Sequence, residues 1–120
     1  MFDDQDMDAV FQALGNQSRR RMLDIVKGEP GIGVGALASE FDVSRIAVMK
    51  HLAVLEEANL VVSEKDGRTR RLYFNAAPIQ MIHDRWTTEY SAYWAGEVTR
   101  IKYLAEARHH DEKTGGKQRK

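Results

Sequence analysis

VSRIAVMKHLAVLEEANLV, residues Val43 to Val61, carries apolar side chains on two faces of one helix. Ala47, Val48, His51, Leu52 and Leu55 recur three and four residues apart, the spacing that lines up one buried stripe. Arg45, Ile46, Met49 and Lys50 fall together on the other side, where a wholly polar surface is the ordinary outcome. Ser44 stands where a hydroxyl caps a helix start, and the helix is expected to end near Asn59. Two cations beside two large apolar groups ask for a contact other than water.

The residues before this run supply its partners. Val34, Leu37, Ala38 and Phe41 stand at i, i+3, i+4 and i+7, which predicts a helix of about two turns over Val34–Phe41. Only Asp42-Val43-Ser44 joins it to the next helix, and two short helices on so tight a connection cross steeply, as in a helix-turn-helix. Further upstream, Met7, Val10, Phe11 and Leu14 mark one face of a first helix ending near Gly15-Asn16. Ser18 is the expected cap of a second helix, Arg19 to Lys27, with Met22, Leu23, Ile25 and Val26 inward and Gly28 and Pro30 as its stop. GEPGIG, residues 28–33, reads as a loop.

Beyond the run, Val61–Lys65 and Arg68–Phe74 read as strands around Asp66-Gly67, a dipeptide that favours a type I′ hairpin turn. Lys65, Arg68, Arg70 and Arg71 lie near the tip of this hairpin, with Leu72, Tyr73 and Phe74 at its root. Strand alternation sets Arg71 opposite Arg68 and Arg70. Pro78 suits the first position of a last helix, which carries Ile79, Ile82, Trp86, Tyr90, Tyr93, Trp94, Val98, Ile101 and Leu104. Trp86, Tyr90 and Trp94 are four apart and share one stripe. HHDEKTGGKQRK, residues 109–120, lacks apolar periodicity and is expected to be a flexible polar tail, leaving one domain over residues 1–108.

Bulk properties agree with a single globular domain. The chain has 120 residues, 42% hydrophobic and 30% charged, and no apolar run approaches the span of a bilayer. Formal net charge is zero, but Asp3, Asp4, Asp6 and Asp8 crowd the first eight residues, so the remainder carries 18 basic and 14 acidic side chains. The acidic start is unlike a secretory signal, and the expected location is cytoplasmic. With no cysteine, disulfides and thiolate metal sites are both excluded.

Helix, helix, helix, turn, helix, hairpin, helix is the order of a winged helix-turn-helix, a mainly α fold with a β-hairpin wing. In that arrangement the helix after the turn enters the DNA major groove by its N-terminal part. Arg45 then suits a bidentate guanine contact, Lys50 a phosphate or guanine, and Ile46 and Met49 a thymine methyl. Ser44 and the helix amino terminus favour a phosphate oxygen. Lys65, Arg68, Arg70 and Arg71 of the wing fit phosphate or minor-groove contacts. The competing reading is a protein-interaction module, whose apolar helix face would meet another protein.

Three stretches, VFQALGNQSRRRMLDIV, VGALASEFDVSRIAVMKHLAVLEEANLV and DGRTRRLYF, carry a family likeness. Across roughly residues 8 to 107 the chain resembles the ArsR/SmtB family of bacterial winged-helix transcriptional regulators. Asn59 departs from the family's usual glycine, but asparagine also tolerates the left-handed conformation at a helix end. The resemblance implies a homodimer that binds an operator, usually as a repressor released by a ligand.

A long terminal helix has more apolar surface than three short helices can cover, which points to a dimer interface. The expected contributors are Trp86, Tyr90, Trp94 and Ile101, with Val10 and Phe11 of the first helix. A small-molecule pocket among these aromatics is the alternative. His83, Asp84, His109, His110, Asp111 and Glu112 are the right types for the family's other metal site, but their spacing does not match it, so no metal ligand or cofactor is assigned. His51 has no partner spaced for a triad or acid–base pair, and an enzyme reading has nothing else to stand on. A regulator without any effector, controlled by its own abundance, is also consistent with the missing thiols.

Overall fold

Asp3 opens the first helix by a reciprocal cap, which the amino-terminal aspartates make available. In the computed structural model, Asp6 N–H donates to Asp3 Oδ1 and Asp3 N–H to Asp6 Oδ2, both at 2.8 Å. Helix α1 spans Asp4–Leu14 and closes at Gly15. The structure describes residues 1–87, 100–102 and 104–107. It divides into two compact units, Met1–His83 and Asp84–Lys120.

Helix α2 spans Gln17–Gly28 and begins earlier than Ser18 would have it. Asn16 is the cap, accepting from Arg19 N–H at 3.1 Å. Gly15 and Asn16 thus end one helix and start the next with no residue between them. The bond is reinforced from α2: Arg19 donates from Nε to the Ala13 carbonyl and from Nη2 to that of Gln12, both at 2.9 Å, and Arg20 Nη1 donates to Leu14 at 2.7 Å. The Ala13 and Leu14 carbonyls are among those a helix end leaves without partners, and the two arginines supply them, while the Gln12 carbonyl also accepts from Gly15 N–H at 3.2 Å.

Strand β1, Ile32–Gly33, arises inside the stretch expected to be loop. Its sequence is too short to show an alternation, and only pairing with a distant strand makes it extended. Helix α3 spans Val34–Ala38 and stops before Phe41. Ser39 Oγ donates to the Ala36 carbonyl at 2.7 Å, and Glu40 and Phe41 continue in three-residue turns. Phe41 still packs against the core, with the Arg21 guanidinium 4.6 Å from its ring centroid.

Helix α4, Arg45–Glu57, is the quoted run. Ser44 Oγ accepts from Ala47 N–H at 3.1 Å, as expected. At the other end, Leu60 N–H donates to the Leu55 carbonyl and Asn59 N–H to Glu56, the paired bonds of a Schellman stop. Asn59 takes φ +62°, the left-handed value expected of it.

Strands β2 (Val61–Asp66) and β3 (Thr69–Phe74) form the wing, and the sheet order is β1-β3-β2, all antiparallel. Asp66 pairs with Thr69, so the two loop residues are Gly67 and Arg68, one position later than expected. Gly67 has φ +66°, and Arg68 keeps a negative φ, the signs of a type II′ turn rather than type I′. Val61, Ser63 and Lys65 share the inner face with Phe74, Leu72 and Arg70, while Val62 and Glu64 share the outer face with Tyr73 and Arg71.

Val10, Met22, Val26, Leu37, Leu52 and Leu72 are fully buried, drawing the core of the first unit from α1, α2, α3, α4 and β3 together. Helix α5, Ala77–Thr87, starts where Asn75 donates from Nδ2 to the Asn59 carbonyl at 2.8 Å and accepts from Ala77 N–H. In the second unit, residues 100–102 and 104–107 are helical, and Lys102 Nζ lies 4.0 Å from Glu106 Oε2.

Candidate nucleic-acid interface

The stripe Val48, Leu52 and Leu55 is fully buried, which turns the other side of α4 outward. Ser44, Arg45 and Lys50 are exposed there, and Ile46 keeps 70% of its surface in solvent. Met49 is half-buried and packs against the core edge. Ile46 thus gives this side of α4 an apolar patch beside the cations Arg45 and Lys50. The Ser44 oxygen is occupied as an acceptor by the cap, leaving its O–H free to donate to an anion.

The wing stands beside this face. Arg45 and Met49 of α4 line one shallow concavity of about 230 Å³ with Arg68 and Arg70 of the wing. Val34 and Gly35 of α3 and Thr69 of β3 complete its wall, three residues that periodicity did not single out for a site. A Cβ on Gly33 would stand 3.3 Å from the Thr69 methyl, so the glycine lets β1 approach this part of the wing. Arg45, Lys50, Lys65 and Arg68 have no hydrogen bond or ion pair with other described residues, so these four cations are unneutralised.

Arg70 and Arg71 differ from them. Arg70 Nη2 donates to the Glu56 carboxylate near the end of α4 and lies 3.4 Å from Ser63 Oγ. Arg71, on the outer sheet face as alternation requires, donates from Nε to Asp66 Oδ2 at 3.2 Å and from Nη1 to the Gly31 carbonyl at 3.3 Å. Gly31 takes φ +88° and Tyr73 packs on it, so Arg71 ties the wing to the turn before β1.

The residues expected at a dimer interface separate. Val10 is completely buried within its own chain, on the face of α1 that packs into the core. Phe11 is 49% exposed on the next position of α1. Trp86 and Ile101, in the second unit, are 60% and 58% exposed. Tyr90 and Trp94 lie outside the described residues, as do His109 and His110. Among the described residues, no group of three or more His, Asp or Glu side chains is placed to hold a metal ion. None has a helix long and apolar enough to cross a membrane.

His51 has a structural partner. Arg19 Nη1 lies 3.2 Å from His51 Nδ1, and since guanidinium can only donate, Nδ1 is the acceptor. One arginine therefore joins the end of α1, the start of α2 and the middle of α4.

A capped helix with an open cationic and apolar face, crossing a short helix and flanked by a basic hairpin, defines a winged helix-turn-helix DNA-binding protein. Residues 14–64 match a helix-turn-helix domain family. The chain is 38% identical over 85 residues to the uncharacterized HTH-type transcriptional regulator YuzN of Bacillus subtilis, a match covering 66% of this chain and 92% of that protein. It is 28% identical over 74 residues to the transcriptional repressor SdpR of the same organism, covering 62% and 81% respectively. Its fold is similar to an ArsR-like transcriptional regulator from Rhodococcus sp. RHA1, with TM-score 0.62, 30% identity, and coverage of 84% of this chain and 93% of that one. The chain belongs to the ArsR family of winged helix-turn-helix transcriptional regulators.

Proposed function

We propose that this regulator is a cytoplasmic repressor that occupies a two-fold symmetric operator as a homodimer and blocks transcription from it. The observation that carries the reading is the exposed face of α4: Ile46 is 70% open between Arg45 and Lys50, while the opposite face is fully buried. Arg45 reads a guanine edge, Ile46 and Met49 meet thymine methyls, and Ser44 and Lys50 hold phosphates. Lys65 and Arg68 add phosphate contacts from the wing. Residues 1–108 act as the DNA-binding and dimerisation domain, with 109–120 as a polar tail.

Two-fold pairing supplies two such helices, and groove-binding helices in a symmetric pair read half-sites about one helical turn apart. Phe11, Trp86 and Ile101 contribute to that pairing, supported by their exposure. The repressive sign is supported by the likeness to a protein named as a repressor.

Selection of bound duplexes from a random pool, followed by fluorescence anisotropy of the winner across a salt series, tests this reading. The expected result is a palindromic site whose log affinity falls linearly and steeply with log salt. A folded protein that enriches no site, or binds one without salt dependence, would overturn it in favour of a protein-binding surface.

A further inference from the structure

The wing does not offer all its cations alike. Arg68 and Lys65 are exposed and unpaired among the described residues, whereas Arg70 is bonded to Glu56 and within reach of Ser63. The pair is half-buried, with 35% of the Arg70 side chain and 27% of the Glu56 side chain exposed. Glu56 is the penultimate residue of α4, eleven positions after Arg45, so its Cα lies about 16 Å along the helix from the end that enters the groove.

We infer that Glu56 is a positioning residue that holds Arg70 as a strut between recognition helix and wing, and thereby withholds one cation from the DNA backbone. The inference rests on the DNA-binding reading above. Arg70 shares the inner face of β3 with Leu72, and its guanidinium meets Glu56 of the helix while lying 3.4 Å from Ser63 Oγ of β2. For a phosphate to claim the guanidinium, the charge-assisted bond would have to break in a partly desolvated site. The Glu56 carboxylate would then be left without its cation near an anionic duplex. Keeping the bond avoids both costs. Its consequence is specificity: phosphate contacts strengthen binding to every sequence, so a wing with one fewer of them favours sites that Arg45 and Ile46 can read.

The test compares salt slopes, because each phosphate neutralised steepens log affinity against log salt by about 0.9. Anisotropy is followed on the selected site and on an unrelated duplex of equal length. Glu56→Ala frees Arg70 and should steepen both slopes by about 0.9, with the larger fold-gain in affinity on the unrelated duplex. Glu57→Ala removes the same charge from the next, exposed position and should leave the slopes unchanged. Arg70→Gln should also leave the slopes unchanged, and combining it with Glu56→Ala should abolish the steepening. If Glu56→Ala does not fold, the exchanged pair Glu56→Arg with Arg70→Glu restores the strut and should bind with the wild-type slope.

The opposite pattern overturns the inference: Arg70→Gln shallower by about 0.9, with Glu56→Ala indistinguishable from Glu57→Ala, would mean that Arg70 leaves Glu56 for a phosphate on binding. An exchanged pair with a shallower slope would overturn it as well. A wild-type protein that binds neither duplex with salt dependence would instead sink the DNA-binding reading, and the inference with it.

Discussion

Replacing Arg19 with methionine keeps an apolar stem and deletes the guanidinium that closes the first helix. Two acceptors lose their donor, the Ala13 carbonyl at 2.9 Å and His51 Nδ1 at 3.2 Å, while the Gln12 carbonyl loses its 2.9 Å bond but keeps the one from Gly15 N–H. The Gln12 bond is exposed, and water replaces it at small cost. The other two are part-buried, and a hydrogen bond from a charged donor is worth about 1.5–3 kcal/mol in such a place. Taking the low end for each, since both sites keep some solvent, gives a loss of about 3 kcal/mol. That is a large fraction of the ~5–15 kcal/mol that holds a domain folded.

Urea unfolding followed by circular dichroism measures the loss. Protein concentration must be fixed, because association would make the midpoint depend on it. Arg20→Met is the internal comparison, losing one exposed bond to the Leu14 carbonyl, with an expected cost of no more than about 1 kcal/mol. Equal losses for the two variants, or less than about 0.5 kcal/mol for Arg19→Met, would refute the view that one arginine ties three helices together.

Arg45→Ala should cost roughly 1–3 kcal/mol on the selected operator and relax preference at one base per half-site, read by binding across a site library; uniform weakening of every sequence would assign Arg45 to phosphate instead. Asn59→Ala forces a Cβ without a compensating side chain into φ +62°, and should cost about 1–2 kcal/mol in thermal unfolding, with Asn59→Gly near neutral. The Asp6 backbone N–H, foremost among its contacts, holds the Asp3 carboxyl below its ordinary 3.8, so the cap's contribution to stability is complete above that value and fades as pH falls through the lowered one. Carbon-detected NMR titration checks it, and an Asp3 midpoint at or above 3.8 would contradict the cap. Phe11→Ser should shift sedimentation from dimer toward monomer, and an unchanged dimer would place the interface elsewhere.

Much of the fold was legible because helical periodicity is local. Val48, Leu52 and Leu55 announce their burial by spacing alone, and Ser44 its cap by position. Asn59 was readable for a related reason, since few residues accept the left-handed turn that ends α4. Where two local signals competed, position misled. Ser18 and Asn16 are both good caps, and Asn16 won because the break at Gly15 fixes where the next helix must begin. The hairpin register moved by one residue because pairing along the whole of β2 and β3, rather than the favoured dipeptide, decides which residues fall in the loop.

The candidate site divides along the same line. Its membership on α4 follows from an exposed face that contradicts ordinary patterning, a property of the sequence. The unequal status of the wing arginines is invisible there, since Lys65, Arg68, Arg70 and Arg71 are simply four cations within seven residues. Val10 likewise reads as one of several apolar positions until packing removes it from the surface.

By itself, then, the sequence determined the helices, the wing and the exposed cationic face of α4, because burial and capping repeat with the period of the local backbone. Only the tertiary structure decided that Arg19 closes α1, that Ile32 and Gly33 become a strand, and that Glu56 meets Arg70. Those contacts join residues 6 to 40 positions apart, and no local period encodes which groups the folded chain brings within hydrogen-bond reach.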